Sequence, residues 1–166
     1  MLTQIQIRNF AIIDAVEIEL GPGLTVLTGE TGAGKSILVD ALLLAAGARA
    51  AADVVRHGAD RAEVTATFTV EGNGAALAWL EAQAIDHDGE CVLRRTTGAD
   101  GRSRAWVNGQ AMPVQSLREI GELLLDVHGQ MEYQSLMRRS SQRDLLDRHG
   151  GHETLTARVA ELSRRL

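Results

Sequence analysis

Near the start of the chain, apolar and polar residues alternate with a period of two. Ile5 and Ile7 are separated by polar neighbours, and Val16, Ile18 and Leu20 repeat the pattern. This spacing predicts half-buried strands. Gly21-Pro22-Gly23 predicts a turn, and the apolar Leu24-Thr25-Val26-Leu27 predicts another strand after it. The chain therefore opens on two or three strands, two of them expected to form an antiparallel hairpin. From Ile37 to Ala46 the pattern becomes that of a helix, which Gly47 stops.

Alternation returns over residues 62–70 (AEVTATFTV) and is broken by Glu71-Gly72-Asn73-Gly74. Ala75 to Ala84, with Leu77, Trp79 and Leu80, predicts a short helix. Glu90 to Thr97 and Arg102 to Asn108 flank Gly98-Ala99-Asp100-Gly101 and predict a hairpin. Pro113 precedes a helix predicted over 114–121. Leu123 to Val127 predicts a buried strand, and a polar loop and a helix near 140–148 follow. Gly150-Gly151 is a break. Beyond it Leu155, Val159, Leu162 and Leu166 fall at spacings of 4, 3 and 4. That spacing suits the start of a coiled-coil seam or a plain amphipathic helix.

Length and composition narrow the class. The chain has 166 residues, 45% hydrophobic and 23% charged, which suits one folded domain rather than disorder. No apolar run approaches the ~20 residues of a membrane span. The opening MLTQIQIRNF lacks the pattern of a signal peptide, so a cytoplasmic protein is expected. A lone cysteine, Cys91, excludes an internal disulfide and is expected in the core. Trp79 and Trp106 are expected to pack, and the histidines lack metal-ligand spacing. Residues 1–137 carry 10 basic and 18 acidic side chains, whereas residues 138–166 carry 7 and 4. The acidic body argues against a wholly basic nucleic-acid module.

Among the 17 basic residues, Lys35 is the only lysine. Arginine cannot replace a compact, flexible ammonium everywhere. Lys35 lies in Gly29-Glu30-Thr31-Gly32-Ala33-Gly34-Lys35-Ser36, a full match to G-x-x-x-x-G-K-[ST] at the junction of a predicted strand and helix. The glycines permit dihedrals and close approach that a Cβ would block. Successive backbone N–H groups can form an anion nest, to which the helix adds its positive end. Lys35 can reach the β- and γ-phosphates, and the Ser36 hydroxyl can ligate Mg²⁺. Residues Gly29 to Ile37 are thus the expected ATP-binding segment.

Hydrolysis needs a metal-shell carboxylate and a group that positions water as well. Leu123-Leu124-Leu125-Asp126 has the form of a Walker B strand, which would make the chain a complete small NTPase or kinase. The next residues, Val127-His128-Gly129-Gln130, support a different assignment.

Ile7-Arg8-Asn9-Phe10-Ala11-Ile12, the motif 29–36, Val55-Arg56-His57-Gly58, Asp100-Gly101-Arg102-Ser103-Arg104, Val107-Asn108-Gly109 and the His-Gly-Gln loop occur in this order. The combination resembles the RecN family of DNA repair proteins, within the SMC-like, ABC-type ATPase heads. The resemblance covers residues 1 to about 150. Met131 and Tyr133 depart from the family pattern.

The resemblance implies an α/β P-loop NTPase fold: the N-terminal lobe of a split head over residues 1–150, with a mixed sheet that joins an antiparallel β-subdomain to the P-loop core. Residues 151–166 would begin a coiled coil. It implies that Gln130 is the Q-loop glutamine, sensing Mg²⁺ and the γ-phosphate beside the catalytic Lys35, and that Asp126 is a strand-end residue. Arg8, Asn9, Arg56 and Arg61 would lie near the nucleotide or DNA. The implied partners are the C-terminal lobe of the same protein, a second head across ATP, and DNA, in the bacterial cytoplasm at the nucleoid. A non-hydrolysing interaction module with a vestigial loop is the alternative from another class.

Overall fold

The computed structural model describes residues 1–29, 34–51, 54–127, 142–143, 146–147 and 149–163. It divides into two units, Met1–Asp126 and Val127–Leu166. The first unit is built on a six-stranded sheet of β1 (Leu2–Phe10), β2 (Ile13–Glu19), β3 (Arg61–Thr69), β4 (Glu90–Gly98), β5 (Ser103–Val107) and β6 (Gln110–Met112). Their order is β2-β1-β3-β4-β5-β6. All five pairings are antiparallel.

The period-2 residues decide which face is covered. Ile5 and Ile7 of β1, Val64, Ala66 and Phe68 of β3, Cys91 and Leu93 of β4, and Ala105 and Val107 of β5 are all buried. Three helices supply the opposite side: α1 (Lys35–Ala45), α2 (Gly74–Ala82) and α3 (Val114–Leu124). They contribute Ala41 and Leu44, Ala76 and Leu80, and Leu117 and Ile120. Each large side chain fully buried in this way contributes about 1.5–3 kcal/mol. The alternate positions, among them Gln4, Gln6, Glu63 and Arg94, form the polar face of the sheet. The hairpins predicted at the N-terminus and around residues 98–101 are both formed.

Helix ends follow their local chemistry. Asn73 caps α2, its side-chain oxygen accepting from the Ala76 N–H at 3.1 Å. Gly47, at φ 94°, ends α1 with a Schellman pair: Gly47 N–H to Leu44 O and Ala48 N–H to Leu43 O. Cys91 lies in the core as expected, and burial pushes its thiol up to about 12.

Two sequence expectations are corrected. Leu24–Leu27 forms no strand, and Leu24, Val26 and Leu27 are 92%, 68% and 51% exposed. A strand needs a ladder partner, and none of the described pairings reaches this segment. Leu123–Val127 forms no strand either. The helical stripe of Leu117, Ile120, Gly121 and Leu124 carries α3 through the first two leucines, and only Leu125, the C-cap, turns to extended backbone. Short apolar runs are ambiguous between helix and strand, and here the amphipathic register won. The six-stranded sheet also contains the three-residue β6, too short to leave a periodic signature.

In the second unit α4 (Glu153–Ser163) carries Leu155, Val159 and Leu162 on its surface, all exposed. No described helix is long and apolar enough to cross a membrane.

Candidate functional site

The phosphate-loop motif meets α1 at Gly34. This residue is the N-cap of α1 at φ 88° and ψ 5°, in the left-handed region. A Cβ there would meet nothing within 4 Å. The glycine is thus demanded by backbone conformation, not by crowding. The first intrahelical bond runs from Leu38 N–H to Gly34 O at 3.2 Å. A helix cannot bond its earliest amides internally, so the start of α1 offers donors and a positive dipole end. Lys35 Nζ donates to the carbonyl oxygen of Gly29. That bond holds the ammonium at the first residue of the motif. Ser36 is exposed and Ile37 half-buried. Glu30, Thr31, Gly32 and Ala33 lie outside the described residues, as does Gln130.

The weaker sequence candidates gather at the end of β1. Val54–Arg56 runs alongside Asn9–Ala11, with Arg56 N–H bonded to Asn9 O at 2.9 Å and Ala11 N–H to Val54 O at 2.8 Å. The Arg56 guanidinium pairs with Asp14 at 3.1 Å. Exposed pairs of this kind are worth at most about 1 kcal/mol, so its effect is orientation rather than stability. Asn9 and Arg61 line one shallow hollow with Gly58, Ala59 and Asp60. Arg8 is exposed on the polar face of the sheet, in register with Glu63. Asn9, Arg56 and Arg61 are therefore brought together.

A second cavity, of about 390 Å³, separates this corner from α1. Phe10, Ala11 and Val54 line one side, and Ile37, Asp40 and Leu44 the other. It is mostly apolar and begins two residues beyond Lys35.

One charged residue escapes a reading by motif. Arg95 is 4% exposed, in the middle of β4. Burial lowers its pKa. Its Nη1 donates to the carbonyl oxygens of Ala48 at 2.5 Å and Leu44 at 3.2 Å, both at the end of α1. Its Nε donates to Ser103 Oγ at 2.9 Å. The available signal was register. Cys91, Leu93, Arg95 and Thr97 occupy alternate positions, so Arg95 faces inward whatever its charge. Asp126, expected at a strand end, is instead exposed two residues beyond α3, on a segment that forms no strand.

A family model described as an AAA domain matches residues 4–149. The DNA repair protein RecN of Vibrio cholerae is 46% identical over 155 residues, 93% of this chain and 28% of that protein. RecN of Bacillus subtilis is 44% identical over 158 residues, 95% and 27% of the two chains. This chain thus spans between a quarter and a third of the length of the curated relatives it matches. Among solved structures, the Smc head domain with a coiled coil and joint from Pyrococcus yayanosii superposes with a TM-score of 0.72. It is 23% identical and matches 99% of this chain and 35% of its own, a likeness of fold. The fold is that of a P-loop ATPase head, and the chain belongs to the AAA-domain family, within which it is similar to RecN over nearly its whole length.

Proposed function

We propose that this chain is the ATP-binding N-terminal lobe, residues 1–150, of a split ATPase head acting in recombinational repair of DNA double-strand breaks. ATP is held by Gly29 to Ile37, with Lys35 on the phosphates, Ser36 toward Mg²⁺ and Gln130 as the residue that senses both. The observation that carries this reading is the junction at Gly34: a left-handed glycine delivers the chain into α1 with Lys35 folded onto Gly29, inside a complete phosphate-loop motif.

The donor set suits a magnesium polyphosphate. It consists of a helix start, an ammonium and an exposed hydroxyl, all able to face negative charge or a hard cation. Mg²⁺ bound there would supply neutralisation of the β- and γ-phosphate charge. Asn9, Arg56 and Arg61 form a second polar corner on the far side of the apolar cavity, where they serve the nucleotide or DNA side of the head. The similarity to RecN supports DNA repair as the process. This reading places the protein in the bacterial cytoplasm, at the nucleoid. Hydrolysis, in this reading, requires the C-terminal lobe and a second head across ATP. The exposed Leu24, Val26 and Leu27 support the first requirement, because they are apolar surface without a partner strand among the described residues. The exposed seam of α4 supports its continuation into a coiled coil.

Calorimetric titration of ATP with Mg²⁺ tests the reading. The wild type is expected to bind, and Lys35→Ala to lose at least tenfold in affinity. Absence of binding in both would instead favour an interaction module with a vestigial loop.

A further inference from the structure

We propose that Arg95 is a positioning residue for the phosphate loop, holding α1 from its C-terminal end and tying the loop to the β4–β5 hairpin. The inference rests on the nucleotide-binding reading above. Helix α1 has Lys35 and Ser36 at one end and the Arg95 acceptors Leu44 and Ala48 at or just beyond the other. Its 11 residues span roughly 16 Å, so a shift of the C-terminal end along the axis is delivered whole to the loop.

The identity of the Arg95 partners carries the argument. Its three acceptors among the described residues are neutral oxygens: a carbonyl in the last turn of α1, a carbonyl just beyond it and a hydroxyl. A buried guanidinium is costly unless hydrogen-bonded. If α1 needed only packing, an apolar side chain would serve, as Leu93 does one inward position earlier. What the guanidinium adds is direction. It complements the negative end of the α1 dipole and fixes two carbonyls at a set distance from β4. Those carbonyls are themselves rigid. Leu44 O also accepts from Gly47 N–H at 3.1 Å, and Ala48 N–H is held by Leu43 O at 2.9 Å.

The other side of Arg95 leads into the hairpin. Ser103 Oγ lies 2.9 Å from Arg95 Nε, 3.1 Å from Thr97 Oγ1 and 3.1 Å from Thr96 O. A hydroxyl has one proton. Ser103 therefore donates to Thr96 O and accepts from both Arg95 and Thr97, so every hydrogen bond in the set has one orientation. Thr97 and Ser103 are the last cross-strand pair before the exposed turn through Asp100 and Arg102. A contact made at that turn thus has a continuous polar route to α1.

The test measures MgATP affinity, melting temperature and the amide resonances of Lys35 and Ser36 without nucleotide. The set is wild type, Arg95→Met, Arg95→Lys, Ser103→Ala and Leu80→Ala, the last a cavity in α2 that leaves the Arg95 bonds alone. Expected is a loss of at least tenfold in affinity for Arg95→Met, partial recovery in Arg95→Lys and about threefold loss for Ser103→Ala. The Lys35 and Ser36 resonances should move in all three and not in Leu80→Ala. If Arg95→Met does not fold, Ser103→Ala and Arg95→Lys decide. Wild-type affinity and unmoved resonances in those two, with wild-type binding intact, overturn the inference alone. Affinity that merely tracks melting temperature, as in Leu80→Ala, overturns it too. A wild type that binds no MgATP removes the underlying reading and the inference with it.

Discussion

Gly47 and Arg118 meet backbone to backbone: a Cβ on Gly47 would stand 2.5 Å from the Arg118 Cα. The end of α1 is thereby pressed against α3, and Gly121 completes the crossing against the Ala46 carbonyl. Gly47 also sits at φ 94°, so alanine there incurs both conformational strain and a clash. Together these cost about 2–4 kcal/mol. Gly47→Ala should lower the melting temperature by about 5–15 °C. Gly121→Ala tests the clash alone, and Gly72→Ala, at φ 80° with open space around it, the strain alone. If Gly72→Ala costs as much as Gly47→Ala, the close crossing contributes nothing.

Asn73 joins α2 to the end of α3. Its oxygen accepts from Ala76 N–H, and its Nδ2 donates to Leu123 O at 2.8 Å. Asn73→Ala should cost about 1–2 kcal/mol, the usual price of a lost N-cap plus one partly solvated carbonyl. Asn73→Asp keeps the cap and loses the donor, so its denaturation midpoint should fall between the two. An aspartate variant as unstable as the alanine variant would show that the bond to Leu123 dominates.

How far these features could be read beforehand depends on what each one needs. Alternation in residues 62–70 was enough for β3, because the strand is buried on one face only. Gly47 was enough for the end of α1, because a left-handed stop favours glycine. Leu24–Leu27 misled, because an apolar run records the wish for burial but not the partner. Leu123–Leu125 misled because three leucines are divided between a helix face and its cap. At the site, the motif pointed to Gly34 and Lys35 directly. Arg95 was hidden among sixteen arginines, since its two carbonyl acceptors lie some fifty residues back along the chain and only cross-element packing joins them.

Cys91 makes stability fall in alkali. Its thiol titrates near 12 in the folded chain because burial penalises the thiolate. In the unfolded chain it titrates near 8.5. A raised folded-state value favours the native state fully at neutral pH and progressively less as pH climbs from about 9 toward 12. Wild type should therefore lose more stability than Cys91→Ala across that window, by a few kcal/mol at most. Parallel curves for the two proteins in urea unfolding from pH 8 to 11 would remove the thiol as the cause. The same burial predicts that a thiol reagent labels Cys91 only as fast as the protein opens.

Turnover separates the split head from a self-sufficient NTPase. Asp126 is exposed just past α3, on a segment that forms no strand, so it lacks the strand-end setting of a Walker B carboxylate. Phosphate release by this chain alone should stay on the order of 10⁻⁴ to 10⁻³ s⁻¹, the level of an unassisted phosphate loop. Asp126→Asn should leave that rate unchanged. Adding the part of a RecN relative that this chain does not span should raise it, and should slow amide exchange over residues 24–27 as Leu24, Val26 and Leu27 become covered. No gain on mixing, with both parts folded, counts against the split head. Robust turnover by the chain alone that collapses in Asp126→Asn would make it a compact NTPase after all.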